Sequence, residues 1–196
     1  REGGSIVFES FLAEVGAQAD LVMDAVTEVM EQKVDLLRRL QTMLRPDAIC
    51  TSTTSGLSIT EMGRRSGCGA RLVGTHFWNP PHLMPIVEVI RGDETRPELM
   101  DVVTGIMLTL GKIPVRVNRD VPGFIGNRLQ HALWREALHL DPENKTIRKA
   151  IWAAVYPERF HPVIDDEWQR EQLARERAAE VAAGICGPDG CPLPRT

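Results

Sequence analysis

Chemically capable side chains are most concentrated in the stretch Gly74-Thr-His-Phe-Trp-Asn-Pro-Pro-His-Leu-Met-Pro-Ile-Val-Glu-Val-Ile90. Glu88 stands in the middle of the β-type run Ile-Val-Glu-Val-Ile, where an inward carboxylate is costly unless a partner satisfies it. His76 closes the preceding apolar run, and a two-strand return through Asn79-Pro80-Pro81 would bring its ring to that carboxylate. A carboxylate on one ring nitrogen fixes the tautomer, raises the basicity of the imidazole and leaves the other nitrogen to take a proton. That is the acid/base unit of many dehydrogenases. The same spacing also suits a buried His–Glu pair that only staples two strands, and spacing by itself does not separate the two.

The elements that must position this pair read as a doubly wound α/β sheet, with short apolar runs alternating with longer helical patterns from Asp20 to Gly111. Strands are expected at Leu21 to Val26, Ala48 to Thr51, Arg71 to Thr75, Ile86 to Ile90 and Ile113 to Val117. Between them, Val34, Leu37, Leu40 and Leu44 recur at helical spacing within Met30 to Leu44. Ser58-Ile-Thr-Glu61 resembles a capping box opening a short helix, and Pro97 opens another that closes at Gly111. After Gly123 the pattern turns helical. Phe124 to Leu140 forms one helix, Pro142, Pro157 and Pro162 break the chain beyond it into short pieces, and Asp165 to Ala183 is a charge-rich helix docked on a thin apolar stripe. The expected organisation is a partial Rossmann-like domain over 1–121 and a helical region over 122–196, with a frayed tail from Gly187 to Thr196.

With 196 residues, 43% hydrophobic content and a net charge of -4, the chain can bury a core and carries no basic stripe for nucleic acid. No run approaches the roughly 18 apolar residues of a membrane span, no signal-peptide layout opens the chain, and a cytoplasmic location is expected. The start at Arg1, without Met, points to processing or truncation. Cys50, Cys68, Cys186 and Cys191 lack zinc-site spacing and are expected to be reduced thiols, with no metal bound.

The stretch from His76 to Glu88 resembles the signature of the L-3-hydroxyacyl-CoA dehydrogenase family, in which a His and a Glu twelve residues apart form the catalytic dyad. Three further blocks match in the same order. Ala25-Val-Thr-Glu-Val-Met-Glu-Gln-Lys33 is similar to the family's cofactor-facing strand end and helix, which implies contacts to NAD from Ala25, Glu28 and Lys33. Ser52-Thr-Thr-Ser-Gly-Leu-Ser-Ile59 is similar to the Ser-Asn-Thr-Ser-Ser-Leu block, which places the substrate-binding serine at Ser55 and a cofactor contact at Thr53. Val121-Pro-Gly-Phe-Ile-Gly-Asn-Arg128 is similar to the lead-in to the helical domain, with the active-site asparagine at Asn127, and Asn79 matches a position beside the nicotinamide. The resemblance implies hydride transfer between NAD and the 3-hydroxyl carbon of a 3-hydroxyacyl-CoA. His76 and Glu88 would be the acid/base dyad, Ser55 and Asn127 would hold the substrate oxygens, and the full-length form would be a homodimer.

Three departures from the family pattern qualify what the resemblance carries over. No G-x-G-x-x-G loop is present to cradle a pyrophosphate, since Gly3-Gly4 and Gly67-Cys-Gly69 are not such loops. Thr53 replaces the usual Asn, and beyond about Leu138 the resemblance stops. The Asn-Pro-Pro version of the His76 loop is closer to relatives acting on small hydroxy acids, of the gulonate or carnitine type, and to the λ-crystallins. A small-hydroxy-acid dehydrogenase and an inactive, crystallin-like relative are therefore the alternatives. A chance match on an unrelated α/β module would instead scatter Ser55, His76, Glu88 and Asn127 over different faces.

Overall fold

The computed structural model describes residues 18–160 and 164–184. Gly3-Gly4, Pro162, the Cys186 to Cys191 segment and the tail from Gly187 lie outside the described residues. Two compact units are present, 1–127 and 128–196.

The first unit is built on five strands, β1 (Leu21–Asp24), β2 (Ile49–Ser52), β3 (Leu72–Phe77), β4 (Ile86–Arg91) and β5 (Ile113–Val117), hydrogen-bonded in that order. All neighbours are parallel except β3 and β4, which run antiparallel. The helices α1 (Met30–Met43), α2 (Ile59–Ser66) and α3 (Pro97–Thr109) connect them.

Strand alternation sends neighbouring side chains to opposite faces, and the two cores follow from it. Cys50, Leu72 and Ile90 pack with Val34, Leu37 and Leu40 of α1 and Ile59 and Met62 of α2. Ile49, Val73, Val87 and Val89 pack instead with Leu99, Met100, Val103 and Met107 of α3. The sheet is thus covered on both faces, a partial doubly wound, Rossmann-like arrangement.

Local chemistry sets the boundaries. The Ser58 hydroxyl caps α2 by accepting the Glu61 amide at 3.0 Å. Gly67, at φ 77°, ends the same helix in the left-handed region that a side chain would resist. Cys50 and Cys68 are both buried free thiols. Their mutual hydrogen bond, and then burial, push the Cys50 thiol up.

The helix α4 (Gly126–Leu140) runs across the division between the units, and the second unit adds α5 (Lys145–Val155) and α6 (Asp166–Ala182). Between Pro142 and Pro157, where the sequence pattern leads one to expect a short piece, the eleven-residue α5 forms. Its prolines flank it: Pro142 precedes the cap Asn144, whose side chain accepts the Ile147 amide at 3.0 Å, and Pro157 follows the last turn. Arg148, 2% exposed, ties this unit together by donating to Pro142 O, Glu176 and Glu180. Trp168 receives Trp152 and Tyr156 in edge-on contacts. No described helix is long and apolar enough to cross a membrane.

Candidate active site

The antiparallel register of β3 and β4 sets His76 directly across from Glu88. His76 Nδ1 lies 2.7 Å from Glu88 Oε2, and both residues are buried, 7% and 1% exposed. An ionised carboxylate only accepts, so Nδ1 carries the hydrogen and Nε2 keeps its lone pair. Among the described residues nothing bonds Nε2.

Glu88 is held on every side. Its Oε2 also accepts the Trp78 indole N–H at 3.0 Å, and its Oε1 accepts the amides of Ile125 at 2.7 Å and Gly126 at 3.1 Å. Burial pushes the Glu88 carboxyl up, but the bonds from His76, Trp78 and the two amides outweigh it and hold the group below the ordinary value of 4.5.

The amides reach Glu88 because the backbone turns sharply before them. Gly123 at φ 76° and Phe124 at φ 49° are successive left-handed residues. Such a conformation costs a non-glycine residue about 1–2 kcal/mol. Complete burial of Phe124, whose ring lies tilted 5.6 Å from that of His76, offsets it.

A second group of polar residues gathers at the carboxyl ends of β1 and β2. Glu28 Oε1 accepts the Thr54 hydroxyl at 2.5 Å and the amides of Ser55 at 2.8 Å and Gly56 at 3.2 Å. Asn127 Nδ2 donates to Ser55 O at 2.7 Å, which joins this loop to the chain that feeds amides to Glu88. Lys33 is 1% exposed: its ammonium bonds Asp24 at 3.0 Å and Val26 O at 3.1 Å and lies 3.7 Å from Glu28. Asp24 also accepts the Ser52 hydroxyl at 2.7 Å. Thr53 is half-buried, Ala25 and Asn79 are exposed, and the Asn79–Pro80 peptide is cis.

Ser55, Asn127, Glu88 and His76 therefore form one continuous run of contacts, Asn127 being adjacent in the chain to Gly126. Trp78 is the member that spacing did not single out. A half-buried indole N–H needs an acceptor, and the only cue was its place beside His76 in a loop leading to a strand carboxylate. Asp24, the partner of Lys33, was likewise missed, because its burial depends on strand pairing.

Over residues 4–121 the sequence matches the family described as 3-hydroxyacyl-CoA dehydrogenase, NAD binding domain. The chain belongs to this family.

Beyond that match, the 3-hydroxyacyl-CoA dehydrogenase family chain is 37% identical over 147 residues to 5-formyl-3-hydroxy-2-methylpyridine 4-carboxylate 5-dehydrogenase of Mesorhizobium japonicum, covering 72% of this chain and 48% of that one. It is 44% identical over 127 residues to L-carnitine dehydrogenase of Burkholderia mallei, covering 65% and 40%. The chain thus spans less than half the length of these relatives. The crystal structure of a 5-formyl-3-hydroxy-2-methylpyridine 4-carboxylic acid 5-dehydrogenase, an NAD+-dependent dismutase, superposes with TM-score 0.65 at 30% identity, over 95% of this chain and 54% of that one. That superposition runs on past Leu138. (S)-3-Hydroxybutyryl-CoA dehydrogenase from Ralstonia eutropha superposes with TM-score 0.61 at 33% identity, over 65% and 44%.

In parallel sheets of this kind dinucleotides lie at the carboxyl ends of the strands. Ala25, Thr53 and Asn79 follow the carboxyl ends of β1, β2 and β3 in the chain and are accessible there, which leaves that edge open to a nicotinamide ring. Among the described residues no glycine-rich turn fits the diphosphate.

Proposed function

We propose that this chain carries the acid/base part of an NAD-dependent dehydrogenase that oxidises the 3-hydroxyl of a small hydroxy acid. The locked His76–Glu88 pair, with Nε2 open, carries this reading. His76 Nε2 takes the hydroxyl proton while Glu88 steadies the imidazolium that forms. The Ser55 hydroxyl and the Asn127 amide hold the substrate oxygens and set its distance from the ring. Ala25, Thr53 and Asn79 would contact NAD, and Glu28 and Lys33 would shape that edge from behind. When bound, NAD supplies the hydride acceptor.

Similarity to L-carnitine dehydrogenases, at 44% identity in one case, supports a small hydroxy acid. A second reading, a 3-hydroxyacyl-CoA substrate, is supported by the family and by the likeness to 3-hydroxybutyryl-CoA dehydrogenase.

The test measures NADH binding by fluorescence and NAD reduction by absorbance, with carnitine and 3-hydroxybutyryl-CoA as substrates. Both are done on the chain and on the chain joined to a phosphate-loop half. Reduction that His76→Gln lowers by about 10²–10⁴-fold is the expected outcome, and the better substrate decides between the two readings. Turnover left intact by that substitution would overturn the proposal.

A further inference from the structure

The second unit carries an open cavity of about 280 Å³ between α5 and α6, built from residues other than those of the dyad. Each helix contributes positions i, i+3, i+4 and i+7, the spacing of a single face. Its apolar floor is Trp152 and Leu173. The Trp152 N–H is already given to Glu176 at 2.6 Å, so the indole offers the cavity its ring.

Charge gathers around that floor. Lys145, Lys149 and Arg170 line the cavity, are exposed, and have no ion-pair partner among the described residues. Asp166 is the carboxylate beside them, without an ion-pair partner among the described residues, and Arg148 is paired with Glu176 and Glu180. Four cations therefore face three carboxylates, which leaves a surplus of one positive charge. Gln169, 6% exposed, sits in the same wall, and its Nε2 has no hydrogen-bond partner. A buried amide donor left unsatisfied is costly, and a ligand acceptor would relieve it.

We infer that this cavity binds a small organic monoanion, a carboxylate on a compact apolar body. The ring or branched chain lies on Trp152 and Leu173, and the carboxylate lies among Lys145, Lys149 and Arg170, with the Gln169 amide turned to it. Small-molecule pockets run to about 300–1,000 Å³, so this one, just below that range, matches a single small fused or branched body better than a whole dinucleotide or acyl-CoA. None of its lining residues is one named in the proposed dehydrogenase chemistry.

The test titrates the full chain with 2-naphthoate and with its neutral counterpart 2-naphthylmethanol, following the Trp152 indole N–H by NMR, assigned with Trp152→Phe. A saturable shift is expected for naphthoate, with the alcohol about tenfold weaker, a difference of one lost charge-assisted contact. Lys149→Glu and Arg170→Glu, both on exposed positions, should each weaken naphthoate about tenfold while the far-UV circular dichroism stays unchanged. His76→Gln should leave the affinity as it was. Equal binding of the two probes, charge reversals without effect, no saturable shift, or loss of binding in His76→Gln would each overturn the inference.

Discussion

Trp78 donates its indole N–H to Glu88 Oε2, the same oxygen that holds His76 Nδ1. The two donors share one acceptor, so the indole draws on the electron density with which the carboxylate orients the histidine. Trp78 is in this sense a positioning residue, acting on His76 through Glu88.

Replacing Trp78 with Phe keeps an aromatic body and deletes the donor. Glu88 should then titrate at higher pH than in the parent chain, read from its side-chain carboxyl carbon by NMR, and stability should fall by about 1–3 kcal/mol. Gly126→Ala should act in the same direction, since a Cβ there would meet the Trp78 ring at 2.7–2.8 Å and displace it. An unchanged Glu88 titration in both variants would show that the indole has no hold on the dyad.

The depressed Glu88 carboxyl makes stability depend on pH. Its value in the folded chain lies below the ordinary 4.5, so the unfolded chain binds the proton more tightly. The stabilisation is fully present above 4.5 and is lost as pH falls through the folded value. Urea melts at a series of pH values should show this decline, and Glu88→Gln should flatten it.

Lys33 and Asp24 form a buried pair, 1% and 0% exposed at their side chains. Lys33→Met would leave Asp24 buried without its cation and should cost about 3–5 kcal/mol, with Lys33→Met/Asp24→Asn recovering part of that loss. Denaturant unfolding measures both. An equally small cost for the single and the double variant would mean that the Ser52 hydroxyl and the Val26 amide satisfy Asp24 without the lysine.

Cys50 and Cys68 should resist a thiol reagent such as DTNB in the native chain and react only on unfolding, because both are almost fully buried, 0% and 1% exposed. Rapid native labelling of either, located by peptide mapping, would contradict their packing.

Much of this was legible in the sequence because it is local or periodic. Val34, Leu37 and Leu40 showed the buried stripe of α1, alternation showed the strands, and Glu88 within an apolar run required a partner that a return of twelve residues could supply. What escaped depends on contacts made across the chain. Lys33 borders the buried stripe, yet only the end of β1 decides that its ammonium turns inward to Asp24. Trp78 could have faced solvent as readily as Glu88 until the Gly126 backbone closed over it. Pro142 and Pro157 read as breaks, whereas their positions just outside α5 make them boundaries.

The turn at Gly123 and Phe124 bears on how this protein can vary. Two of the donors to Glu88, the amides of Ile125 and Gly126, belong to the main chain, so changing the Ile125 side chain leaves its donor in place. Sequence drift at position 125 can therefore proceed without touching the carboxylate. Proline alone among the natural residues would delete a donor at either position. Purifying selection should accordingly fall on the glycine that makes the turn, on Phe124 that buries it, and on Gly126 beneath the indole, while Ile125, 38% exposed between them, is left free to diverge.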